Sequence, residues 1–265
     1  MTRHTDMDPD RWIRCFHPKP GARHTLVCFP HAGGSASYYF GLSAALAPDV
    51  EMLVVQYPGR ENRLFEEPAS SLAQLAHHAA GVLRSLPLIR PVLFGHSMGA
   101  IAAFEVARRL EQPFSPAAPA ALIASACAAP SHHANRADRL SGIEDEQDTE
   151  VLARVMGLGG TAAGVAEHEE LVRLFLPALR ADLRALRDYR SASDAAVSCP
   201  VTVCTADGDP DVRAAEAGEW GRHTTAGAEL HLFEGDHFYL GARPQRFMDL
   251  LHRTVRTART GVSFA

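Results

Sequence analysis

The sequence predicts an α/β fold: a mostly parallel central sheet flanked by helices, with a helical insertion near the C-terminal third. Three observations carry this. Short β-branched and apolar runs alternate with longer amphipathic stretches, the pattern in which each strand is followed by a crossover helix. The stretches between the runs carry apolar residues every three or four positions, the helical period. The spacing between the runs is regular except once, where 131–197 separates two strands by far more chain than one crossover requires.

Strands are expected around Trp12–Phe16 and at Thr25–Phe29, Glu51–Tyr57, Pro91–Gly95, Ala121–Cys127, Val201–Ala206 and Glu229–Phe233. Helices are expected at Ala36–Leu46, Leu72–Leu86, Gly99–Glu111, Val212–His223 and Pro244–Thr257, where apolar residues recur every three or four positions. Pro244 stands where a first helical turn tolerates proline. Residues 1–130 and 198–265 are thus read as one core. Residues 131–197 read as a helical lid: they hold His132, His133 and His168, the charged run Glu144-Asp145-Glu146, the glycine-rich Gly157-Leu158-Gly159-Gly160, and an amphipathic pattern over Glu169–Tyr189.

Composition narrows the function. With 46% hydrophobic and 22% charged residues in 265, the chain has material for one large core. A net charge of −5 argues against nucleic acid as the main partner, because phosphate binding needs a basic face. The polar stretch Met1–Arg14 lacks the apolar core of a secretory signal, and no apolar run approaches the roughly 20 residues that cross a bilayer. A cytoplasmic, membrane-free protein is expected, as a monomer. The five cysteines form no CxxC pair and no zinc spacing, and Cys28, Cys127 and Cys204 sit in apolar runs; buried reduced thiols, and no metal site, follow.

One block carries chemistry. In Gly95-His96-Ser97-Met98-Gly99, an apolar strand runs through a tight turn straight into a helix, the setting in which G-x-S-x-G presents an activated serine above a sheet, as in α/β-hydrolases. Ser97 is read as the nucleophile rather than as a simple helix cap. A serine needs a base and the base needs an orienting carboxylate, in the chain order serine, acid, histidine. His237, in the loop Gly235-Asp236-His237-Phe238 before the last helix, is the base chosen from 14 histidines by position. For the acid, Ala206-Asp207-Gly208-Asp209-Pro210 offers two carboxylates past a strand end. Asp209 is preferred and Asp207 kept as the alternative, with loop capping as its other role. The oxyanion donors are the Met98 N–H and, from the loop Phe29-Pro30-His31-Ala32-Gly33-Gly34, the Ala32 N–H. His31, Gly33 and Phe238 are expected to touch substrate.

Phe29-Pro30-His31-Ala32-Gly33-Gly34, Gln56-Tyr57-Pro58-Gly59-Arg60-Glu61-Asn62-Arg63, the elbow, Asp209-Pro210 ahead of Trp220 and His223, and His237-Phe238-Tyr239-Leu240 together resemble the discrete type II thioesterases that accompany modular polyketide and nonribosomal peptide synthases. The resemblance implies hydrolysis of aberrant acyl groups from the phosphopantetheine arm of acyl or peptidyl carrier proteins, with no cofactor of the enzyme's own. Ala206 and Asp236 depart from it, each standing where the family favours glycine; Asp236 adds a third carboxylate near His237. Arg60 and Arg63 either contact substrate or tie down the turn at Pro58-Gly59, and the second reading is preferred. On the residues alone, an esterase or lipase acting on oxygen esters and a non-catalytic ligand-binding relative stay open, while an acyltransferase lacks support from the His-Ala-Gly-Gly loop.

Overall fold

The computed structural model describes residues 7–112, 115–133, 140, 142, 146–158 and 169–258. Its seven strands are β1 (Ile13–Arg14), β2 (His24–Phe29), β3 (Val50–Val55), β4 (Val92–His96), β5 (Ala121–Ser125), β6 (Val201–Ala206) and β7 (Ala228–Phe233). They lie in the order β1-β3-β2-β4-β5-β6-β7, and every neighbouring pair is parallel except β1 with β3. This is the α/β-hydrolase sheet. The order places β4 at the centre, where all five of its residues are buried, so the turn after β4 opens at the middle of the sheet edge.

Helices are α1 (Pro9–Trp12), α2 (Phe40–Ala45), α3 (Leu72–Ser85), α4 (Met98–Leu110), α5 (Asp148–Met156), α6 (Glu169–Arg187), α7 (Ala214–Gly218) and α8 (Gln245–Thr257). One face of the sheet is covered by α3 and α4, whose Leu75, Ala79, Leu83, Ile101 and Phe104 join Val27, Leu93 and Trp220 in one core cluster. The other is covered by α2 and α8 through Leu42, Phe247, Leu250 and Leu251. Ser71 caps α3 by accepting the Gln74 N–H at 3.1 Å, which satisfies one of the donors a helix start leaves free.

Three elements depart from expectation. The first strand is only two residues long because Asp8 caps a short helix that takes up Trp12. The segment 36–46 is a 3-10 turn over Ala36–Tyr39 followed by α2. At 212–223 the helix proper is α7, and a 3-10 turn continues over Glu219–His223, where Gly218 and Gly221 weaken helical propagation.

Between β5 and β6 the described chain carries α5 and α6, which share a small core of Val151, Val155, Leu176, Leu179 and Leu183. His168, Glu144, Asp145, Gly159 and Gly160 lie outside the described residues. Among the described residues no helix is long and apolar enough to cross a membrane. Cys28 and Cys204 are buried inside β2 and β6, and no disulfide joins any of the five cysteines, all of which are among the described residues.

Candidate active site

Ser97 sits between the end of β4 and the first residue of α4 with φ 55° and ψ −125°, a conformation that costs a non-glycine residue of order 1–3 kcal/mol and is held here by its surroundings. Its N–H donates to the Ser125 carbonyl at 2.8 Å, fixing the elbow to β5. The flanking glycines are required by contact. A Cβ at Gly95 would strike the Gly99 carbonyl and the Ala100 Cα, and one at Gly99 would strike the carbonyls of Phe29 and Pro30. The elbow therefore packs on β2 and on its own helix as bare backbone. Met98 is the first helical residue, so its N–H is among the donors that α4 cannot satisfy internally.

His237 lies past β7 and is 1% exposed, its Nδ1 in a 2.8 Å hydrogen bond with Asp209 Oδ2. The other oxygen of Asp209 accepts the N–H groups of Asp211 at 2.8 Å and Val212 at 3.1 Å. Burial opposes ionisation of Asp209, but the imidazole partner and these two N–H groups outweigh it and hold the carboxyl below its ordinary range. His237 Nε2 is buried with no hydrogen-bond partner among the described residues.

The competing carboxylates are engaged elsewhere. Asp207 accepts the Gly235 N–H at 3.2 Å, and Gly208 donates to the Gly235 carbonyl at 3.0 Å, so this pair clamps the acid loop to the histidine loop. Asp236 accepts the Phe238 N–H at 2.8 Å.

On the opposite side of Ser97, His31 to Gly34 form a turn closed by the Gly34 N–H on the His31 carbonyl at 2.9 Å, with Gly33 at φ 71°. This conformation calls for glycine.

Residues 24–255 match the thioesterase domain family. The chain belongs to that family. It is 44% identical over 230 residues to a probable cadicidin biosynthesis thioesterase of Streptomyces griseus, covering 87% of this chain and 62% of that protein. It is 42% identical over 239 residues to the thioesterase PikA5 of Streptomyces venezuelae, covering 90% of this chain and 83% of that one. Among solved structures, the type II thioesterase BorB of the borrelidin biosynthetic cluster superposes with a TM-score of 0.81 at 40% identity, covering 93% of this chain and 98% of its own. The enzyme is a hydrolase of thioesters.

Two chambers adjoin at the His31-Ala32 loop, and the smaller of them reaches the thioesterase elbow. The smaller, of about 500 Å³, is lined by Ser97, Met98, Ala32 and His237 together with Cys127 and His133. The larger, of about 1040 Å³, is lined by Gly33, Tyr38, Arg60, Leu171, Phe175 and Asp236. His31, Ala32, Val155 and Phe238 line both, and the rings of His31 and Phe238 meet there with centroids 4.9 Å apart. Of the expected residues, Ser97, His237 and Met98 line the smaller chamber alone, Gly33 the larger alone, and Ala32, His31 and Phe238 line both.

Burial pushes the His31 imidazole down to about 3, helped by the nearby His237 and Arg60, and drives His96 well below its ordinary value. Both are neutral rings at physiological pH. His31 Nδ1 lies 3.2 Å from the Tyr39 hydroxyl, and His96 Nδ1 3.0 Å from Ser125 Oγ, which in turn lies 2.8 Å from the Tyr239 hydroxyl.

Arg63 does tie down its loop: it donates to the Gln56 carbonyl at 2.8 Å, pairs with Glu66 and covers the Trp12 ring at 4.2 Å. Arg60 is buried, donates to the Pro58 carbonyl at 3.0 Å and pairs with Asp182 of α6. Sequence reasoning does not single out Asp182, and it places Cys127 only as a buried thiol and His133 only in the insertion. Asp182 had a signal: it lies seven residues after Phe175 and three after Leu179, on the apolar stripe of α6, where a carboxylate must find a partner. Cys127, just beyond β5 rather than in it, sits with its Sγ 3.6 Å from His133 Nε2.

Proposed function

We propose that the protein is a discrete editing thioesterase that removes aberrant acyl groups from the phosphopantetheine arm of acyl or peptidyl carrier proteins in polyketide or nonribosomal peptide biosynthesis. The observation that carries the mechanism is the strained Ser97 facing the same chamber as a His237 whose far nitrogen is locked onto Asp209 and whose near nitrogen is free.

His237 Nε2 takes the Ser97 proton as Oγ attacks the thioester carbonyl, and the N–H groups of Met98 and Ala32 receive the oxyanion. The C–S bond then breaks, and the departing sulfur takes the proton from His237 as the carrier thiol. Water attacks the acyl-enzyme, His237 accepts its proton, and the C–O bond to Ser97 breaks with return of that proton to Oγ. The product is the free carboxylic acid. Asp209 holds the imidazole in the tautomer this requires and stabilises the imidazolium. No cofactor enters any step.

The helices between β5 and β6 act as the cover of the acyl site, and the larger chamber is the space for the acyl group or the arm. We place the enzyme in the cytoplasm, as a monomer, with carrier proteins as its partners. A panel of acyl carrier-protein and acyl-N-acetylcysteamine thioesters, set against matching oxygen esters, tests this. Thioesters are expected to turn over faster, with loss of turnover in Ser97→Ala. Faster hydrolysis of the oxygen esters would make the protein an esterase, and a Ser97→Ala variant with wild-type turnover would remove the mechanism.

A further inference from the structure

Asp182 joins three separate parts of the chain inside the protein. It stands on α6, is 4% exposed, and its Oδ2 accepts the Gly33 N–H at 2.8 Å across 149 residues of sequence. The same oxygen pairs with the Arg60 guanidinium. Arg60 is itself fixed by the Pro58 carbonyl and lies over the Tyr57 ring, 5.2 Å from its centroid. Its own carbonyl accepts Gln56 Nε2 at 3.2 Å, while Gln56 Oε1 accepts the Ala36 N–H at 2.9 Å. The loop between Gly33 and Ala36 is therefore held at both ends by one buried polar knot.

The geometry of the turn gives that knot a consequence. A trans peptide puts its C=O and N–H on opposite sides. The His31 carbonyl is turned into the loop by the Gly34 N–H, so the Ala32 N–H, in the same peptide plane, points away from the turn. The next plane carries the Gly33 N–H, and Asp182 sets its direction. Releasing that plane frees ψ of Ala32 and φ of Gly33, and the turn that aims the Ala32 N–H loses one of its two fixed sides. A buried ion pair adds little net stability over apolar packing of similar size, so the main effect of the carboxylate is on what it orients.

We propose that Asp182 is a positioning residue for the oxyanion site, aiming the Ala32 N–H through the Gly33 peptide while Arg60 neutralises its buried charge. The proposal rests on the reading of Ala32 and Ser97 given above. It makes the helix that covers the acyl site a structural part of the catalytic loop.

Three variants of the full chain test it beside Ser97→Ala. Asp182→Leu combined with Arg60→Met replaces the knot with apolar packing and leaves no orphaned charge. Asp182→Ser, whose hydroxyl falls short of Gly33, is the second route should the double variant fold poorly. Asp182→Asn keeps an amide oxygen in place to accept the Gly33 N–H. Readouts are kcat and KM on an acyl-N-acetylcysteamine thioester, and Ki for an octylthio-trifluoropropanone, a ketone that adds to serine and presents an oxyanion. Circular dichroism establishes the folded fraction. For the double and serine variants kcat is expected to fall by about tenfold or more with KM nearly unchanged, and Ki to rise in proportion. Asp182→Asn is expected to stay within about threefold of wild type on both. Folded double or serine variants with wild-type kcat and Ki overturn the proposal, as does an asparagine variant as impaired as they are. If Ser97→Ala turns over like wild type, the catalytic reading falls as well; if it is inactive while the knot variants are unchanged, only the role of Asp182 falls.

Discussion

Asp209 divides its two oxygens between the Nδ1 of His237, at 2.8 Å, and the N–H groups of Asp211 and Val212. The backbone bonds fix the carboxylate plane before it meets the imidazole, so the histidine is oriented by a rigid group. Replacement Asp209→Asn keeps the size and loses the charge, and the asparagine amide then favours the wrong imidazole tautomer. A fall in kcat of about 10³–10⁴-fold is expected, by analogy with the same change in a serine protease triad. Asp207→Asn is expected to keep kcat within about threefold, because an amide oxygen still accepts the Gly235 N–H. Steady-state kinetics on one acyl-N-acetylcysteamine thioester separates the two. Equal losses would mean that both carboxylates serve the histidine.

The parts of this site readable from sequence are those built from neighbours in the chain. The strand, elbow and helix around Ser97 form one local unit, so glycines two residues to either side reveal it. The acid and base each follow a strand end and are found by position. The roles of Gly33 and Arg60 depend on Asp182, which reaches them from an element 149 residues away from Gly33, and no local pattern records such a contact. Likewise, the 3-10 turns at Ala36–Tyr39 and Glu219–His223 replace expected helix because the segments are shaped by packing: Tyr39 meets His31, and the Trp220 indole donates to the Cys127 carbonyl at 3.0 Å.

His31 and His96 tie stability to pH. Each has a folded-state pKa below its ordinary 6.5, His31 at about 3, so below pH 6.5 the unfolded chain binds protons that the folded chain does not. Stability is therefore complete above about pH 6.5 and is lost as pH falls toward the folded values. For His31 alone the loss at pH 5 is about 2 kcal/mol, from 1.36 kcal/mol per unit over about 1.5 units. Urea unfolding at pH 7 and pH 5 should show this drop, and His31→Gln, which has no proton to take up, should make it smaller. An unchanged pH dependence in that variant would mean that the His31 ring is solvated.

Phe238 lines both the chamber of about 500 Å³ and that of about 1040 Å³. Truncation to alanine opens one onto the other beside Ser97. The Phe238→Ala enzyme is expected to gain on long or branched acyl thioesters relative to acetyl by about tenfold in kcat/KM, within the range that pocket contacts of this size supply. Ratios measured across a chain-length series test it. A uniform loss on every substrate would assign Phe238 to holding the adjacent His237, whose ring centroid lies 5.2 Å away.

Tyr189, just past the end of α6, donates to Glu105 Oε1 at 2.9 Å, and the buried Glu105 is also paired with Arg108 and Arg109 of α4. This joins the chain after α6 to the helix that follows the nucleophile. Tyr189→Phe removes one bond to a charged acceptor that keeps both arginines. A loss near the low end for such bonds, about 1.5 kcal/mol, is expected as a lower urea midpoint at constant slope. A changed slope would instead mean that the end of α6 has come away from the core.

The leaving group sets which half of the reaction is slow. A thiolate departs more readily than an alkoxide, while the acyl-enzyme on Ser97 is an oxygen ester whatever the substrate. Thioester substrates should therefore acylate Ser97 faster than water clears it. Mixing enzyme with an acyl-N-acetylcysteamine thioester in a stopped-flow thiol assay is expected to release about one equivalent of thiol per active site before the steady state. The matching alkyl ester, followed by quenched-flow measurement of the alcohol it releases, should show little or no burst, because its slower acylation no longer outpaces deacylation of the acyl-enzyme that both substrates share. A linear thioester trace from the first turnover would place the slow step at or before acylation of Ser97.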